Sequence, residues 1–119
     1  MTTERRRRRS ESTNEALGLL LAAVKERSDV SSIAIVDARG LVIRWVGSEQ
    51  ELAVLGAVAE PIAGGRVTAV CELLTAGTDV LATAVRSPRG TIYLAALGRR
   101  VGRMHEAARG VERILSRVA

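Results

Sequence analysis

The sequence predicts one α+β domain in which antiparallel hairpins alternate with helices. Three observations carry this expectation. Two pairs of apolar, strand-length runs are each joined by a four-residue turn, Asp37-Ala38-Arg39-Gly40 and Ser87-Pro88-Arg89-Gly90. Apolar residues recur at helical spacing before, between and after those pairs. Finally, 119 residues that are 47% hydrophobic and 26% charged suit a single core of ordinary size.

The first helix is signalled by a capping box, Ser12-Thr13-Asn14-Glu15, followed by Leu17, Leu20, Leu21 and Val24 on one face. Ser28-Asp29-Val30-Ser31 closes it. The runs Ile33–Val36 and Leu41–Val46 then form a hairpin, because Asp at the first and Gly at the last turn position suit a type I turn ending left-handed. A second capping box, Ser48-Glu49-Gln50-Glu51, opens a helix reaching Pro61 or Ala63, where proline and then Gly64-Gly65 break the pattern. Residues 67–74 fit two periods. Val67, Ala69, Cys71 and Leu73 suit a strand face, and Val67, Val70, Cys71 and Leu74 suit a helix. The second hairpin pairs 79–86 with 91–97, Pro88 presetting the dihedral of its turn. A closing helix follows Gly98, with Val101, Met104, Ala108, Val111, Leu115 and Val118 on one face.

The pI near 10.9 is largely a property of the N terminus. Residues 1–11 hold Arg5, Arg6, Arg7, Arg8 and Arg9 against Glu4 and Glu11, or +3 of the total +5. We expect a disordered basic tail over 1–11 and a nearly neutral domain over 12–119, with no specific nucleic-acid binding. Weak contact with an anionic membrane, at about 1 kcal/mol per arginine, or with nucleic acid is within reach of such a tail. The tail does not read as an export signal, because Ser10–Glu15 is polar and Lys25-Glu26-Arg27 follows the apolar stretch. No apolar run approaches the ~20 residues of a membrane span. A cytoplasmic location is expected.

The second helix is the most informative segment for function. Leu52, Leu55, Ala59 and Ile62 form a stripe for the sheet, yet Ala53, Val54, Gly56, Ala57 and Val58 leave the other side apolar or small. A helix apolar all round is normally buried all round. In so small a domain the second face meets another chain, unless its own domain encloses it. Ala53, Val54, Gly56, Ala57 and Glu60 are therefore the candidate dimer interface.

The element order resembles that of the Roadblock/dynein light chain family. So do the phrases Ser32–Ile43 and Ile92-Tyr93-Leu94-Ala95-Ala96-Leu97-Gly98, the central apolar helix and the closing helix. The resemblance spans residues 13–118 and implies a profilin-like, five-stranded antiparallel sheet of order 2-1-5-4-3. It implies the first and last helices on one face and the second on the other, with 67–74 as a third strand at an edge shared with a dimer mate. It also implies a non-enzymatic homodimer that binds, regulates or scaffolds a small Ras-like GTPase or signalling complex. The arginine tail lies outside the family pattern.

The residues themselves contain no catalytic constellation. One cysteine, Cys71, and one histidine, His105, exclude a disulfide framework, a thiolate zinc cluster and a multi-histidine metal site. Neither G-x-x-x-x-G-K-[ST] nor G-x-G-x-x-G occurs, so neither cofactor nor metal is expected. Asp29, Asp37 and Asp79 occupy loop, turn and strand-start positions that aspartate serves structurally. Arg109, Arg113 and Arg117 recur every four residues as a basic ridge, either a partner contact or a solvated face. His105 reads as a helix-surface or boundary residue and Cys71 as a small packed side chain. Trp45 fits core or interface equally. A small-molecule sensor of the PAS or profilin-like type is the alternative function, although 2% aromatic residues make a poor ligand lining.

Overall fold

Two short turns determine the pairing of the sheet. In the first, the Asp37 carboxylate accepts from the backbone N–H groups of Arg39 (2.8 Å) and Leu41 (3.0 Å). The Gly40 N–H donates to the Asp37 carbonyl at 3.1 Å, with Gly40 in the left-handed region at φ +89°. In the second, the Ser87 hydroxyl donates to the Gly90 carbonyl at 2.6 Å. The computed structural model describes residues 2–66, 69, 75, 79–88, 90–100 and 104–116, with backbone alone for 2–11, 99, 100 and 105. Its elements are α1 (Thr2–Glu26), β1 (Asp29–Val36), β2 (Val42–Val46), α2 (Glu49–Ala63), β3 (Val80–Ser87), β4 (Gly90–Arg100) and α3 (Met104–Ser116).

The strands form one antiparallel sheet of order β2-β1-β4-β3. The two hairpins meet along β1 and β4, where Ile33 pairs with Ala96 and Ile35 with Leu94. The expected five-stranded sheet of order 2-1-5-4-3 is thereby corrected to four strands among the described residues. The strand expected over 67–74 is the one missing from that order. Ala69 and Thr75 have helical backbone, and the other residues of 67–78 lie outside the described ones. The helical spacing of Val67, Val70, Cys71 and Leu74 competes with the period-two reading, and at Ala69 the helical conformation wins.

Alternation along the central strands sends successive side chains to opposite faces. On one face Ile33, Ile35, Val85, Ile92, Leu94 and Ala96 pack with Leu17, Leu21 and Val24 of α1 and Ala107, Ala108 and Val111 of α3. Leu20 of α1 lies against Gly110 of α3, whose missing side chain lets the helices approach. On the other face Ala34, Val36, Ala95 and Leu97 receive Leu55 and Ala59 of α2. Burying a leucine or valine of this kind stabilises the fold by about 1.5–3 kcal/mol.

One helix boundary differs from the sequence reading and one agrees with it. α1 starts at Thr2, so Ser12–Glu15 lies inside the helix and does not open it. α2 ends at Ala63, the further of the two ends expected, and carries Pro61 inside its last turn. Proline removes one intrahelical bond near the end of the helix. The chain then closes through bonds from the Gly64 N–H to the Glu60 carbonyl (3.0 Å) and from the Arg66 N–H to the Pro61 carbonyl (2.7 Å). Among the described residues no helix is long and apolar enough to cross a membrane.

Candidate interaction surface

α2 is fixed at its N terminus and again at its midpoint. At its N terminus the capping box is rebuilt with help from β1. The Ser48 side chain makes no capping bond, and Glu51, which would reach back to the Ser48 N–H in the ordinary motif, turns to the strand instead. The Ser32 hydroxyl, fully buried, donates to Glu51 Oε1 at 2.7 Å and accepts from the Ser48 N–H at 3.0 Å. Ser31 donates to Glu51 Oε2 at 2.7 Å, with the Leu97 carbonyl as a second acceptor at 3.2 Å. Ser32 thus completes the circuit that the helix leaves open. Gly47, at φ +134°, makes room for it: a Cβ there would sit 2.7 Å from Ser32 Cα.

Two turns further on, α2 rests on the β1–β2 turn. A Cβ on Gly56 would stand 2.6 Å from the Gly40 carbonyl oxygen, and one on Gly40 would stand 2.9 Å from the Gly56 carbonyl oxygen. Backbone meets backbone here, which only paired glycines permit. With Leu55, Val58 and Ala59 buried, the orientation of the helix is settled.

The five candidate interface residues therefore separate. Ala53 and Ala57, one turn apart, are exposed. Val54 is half-buried against the core under α2. Gly56 serves its own domain through Gly40. Glu60 is half-buried and forms an ion pair with Arg66. What remains outward is a narrow small-residue strip along α2. The sequence reading grouped Gly56 with this strip because helical spacing shows that a residue is small without showing which backbone it meets. The Gly40–Gly56 pairing had no sequence signal beyond a glycine on each side.

The basic ridge lies on α3, on the opposite side of the sheet. Arg109 and Arg113 are exposed and line an open depression with Glu106, Glu112 and Ser116. Glu112 also accepts from the Arg86 N–H of β3 at 3.2 Å, so the ridge is interleaved with acidic groups, one of them tied to the sheet. Arg117, Cys71 and the side chains of His105 and Arg5–Arg9 lie outside the described residues. Trp45 is partly exposed, at 43%, on the edge strand β2. Asp37 holds a turn, and the Asp79 carbonyl accepts from the Gly98 N–H at 2.8 Å. Among the described residues no three His, Cys, Asp or Glu side chains are grouped to hold a metal ion.

Comparison with family models, with curated proteins and with solved structures finds no match to this chain. The class that fold and surface define is an α+β domain with a four-stranded antiparallel sheet and an outward small-residue strip on α2. The likeness to the Roadblock family rests on the residues quoted above and on nothing further.

Proposed function

We propose that the protein is a non-enzymatic interaction module of the cytoplasm, which pairs with a second copy through the outer face of α2 and serves a small Ras-like GTPase or signalling complex. The observation that carries the pairing is the outward strip of Ala53 and Ala57 on a helix whose other faces are apolar. Small side chains let a second helix come close, and the helix carries no charge between Leu52 and Ala59 to oppose its approach. The GTPase follows from the Roadblock-like phrases in the sequence. Arg109 and Arg113 supply exposed cations, set between Glu106 and Glu112, for a partner surface with matching acidic groups, on the side of the sheet away from the dimer contact.

Capture of purified Ras-like GTPases, loaded with GDP or a GTP analogue, tests this reading. The expected result is retention that depends on the nucleotide and is lost in Arg109→Glu/Arg113→Glu with no change in melting temperature. Equal retention by the double variant removes the ridge from the contact, and indifference to nucleotide removes the GTPase.

A further inference from the structure

The two edges of the sheet are treated differently. At β3, α3 reaches over the strand and the Glu112 carboxylate takes up the Arg86 N–H. At β2, apolar side chains stand in the open. Leu41, Ile43 and Trp45 are 62%, 44% and 43% exposed, and they are three of the four exposed large hydrophobic residues among the described ones. Proteins ordinarily blunt such an edge, because its unpaired N–H and C=O groups template a further strand. One blunting device is present: the β1–β2 register shifts between Ile35 and Val36, leaving Ile43 as the extra residue. Beyond it Arg44, Trp45 and Val46 run in regular register with Ile35, Ala34 and Ile33.

We propose that the β2 edge is a docking strand for an extended, acidic-apolar segment of another protein, which adds to the sheet beside Arg44–Val46. Charge selects the occupant. Between Ala38 and Gly47 the charged residues are Arg39 and Arg44, both exposed, with no acidic residue among them. The neighbouring Asp37 carboxylate is committed to the amides of its own turn. The Arg44 guanidinium lies over Gly18 of α1, on the face opposite to Trp45. An incoming strand with period-two alternation sets acidic side chains toward Arg44 and apolar ones toward Trp45. Backbone bonds give such a complex its affinity and the alternate side chains its selectivity. A second copy is a poorer occupant, since antiparallel pairing of two β2 strands about Arg44, the middle residue of Val42–Val46, sets Arg44 against Arg44. The proposal is independent of pairing through α2.

Trp45 is the only tryptophan in the chain, so its fluorescence reports on this edge alone. The full chain is titrated with two synthetic seven-residue peptides, one alternating valine with glutamate and the other valine with lysine. The expected result is a saturable blue shift with the glutamate peptide, binding at least about ten-fold more weakly to the lysine peptide at ~150 mM salt. Arg44→Glu reverses the preference, and Arg44→Gln abolishes it with the circular dichroism spectrum unchanged. Absence of a saturable shift overturns the proposal. Equal shifts with both peptides overturn it too, reducing the edge to an unselective apolar surface. A shift that appears on concentrating the protein without peptide gives the edge to a second copy and rejects the acidic partner.

Discussion

Replacing Gly56 by valine lowers the melting temperature by about 10 °C, through a loss of about 3 kcal/mol. The new Cβ would stand 2.6 Å from the Gly40 carbonyl oxygen, and a backbone oxygen has no rotamer by which to withdraw. Either α2 lifts from the sheet, opening space around Leu55 and Ala59, or the β1–β2 turn moves and strains the Asp37 bonds. Intrinsic helix propensity differs between glycine and valine by only a few tenths of a kcal/mol, so it does not mask the clash. Thermal denaturation followed by circular dichroism reads the effect. An unchanged melting temperature would mean that α2 does not rest on the turn. This result also decides how the dimer is to be probed, since a bulky residue at Gly56 disturbs the domain itself and says nothing about association.

Ser32→Ala is expected to destabilise the protein by about 2 kcal/mol, far more than the lost volume of one hydroxyl would suggest. The hydroxyl is fully buried and serves two groups at once, donating to Glu51 and accepting from the Ser48 N–H. Removing it leaves the first amide of the α2 cap and one carboxylate oxygen without their partner. Ser31→Ala is the control. Ser31 is exposed, water replaces its hydroxyl, and the cost falls to about 0.5 kcal/mol. Chemical denaturation of the two variants checks the difference, and equal costs would contradict the relay through Ser32.

The parts of this fold legible in the sequence are those dictated by local chemistry. The Asp37 and Ser87 turns carry their own hydrogen-bonding side chains, so both hairpins follow from four residues each. Leu17, Leu21 and Val24 mark the inner face of α1 because they share a helical stripe. What the sequence did not convey depends on contacts between distant segments. Glu51 occupies the capping-box position in the sequence, but a buried serine from β1 captures its carboxylate. Residues 67–74 satisfy two periods at once, and at Ala69 the strand reading fails. In the candidate interface, Ala53 and Gly56 are equivalent as small residues on one helix. Only packing against Gly40 tells them apart.

That distinction sharpens the proposed dimer. Ala53 and Ala57 are exposed, so changing them leaves the core under α2 untouched while placing charge where a second helix would lie. The most direct measurement is the mass in solution by light scattering at micromolar concentration, in ~300 mM salt to screen the arginine run. The account predicts twice 12.7 kDa for the native chain and 12.7 kDa for Ala53→Glu/Ala57→Glu, with the same melting temperature when both are monomeric. A native chain that stays at 12.7 kDa, or a dimer that survives both substitutions, would contradict pairing through α2.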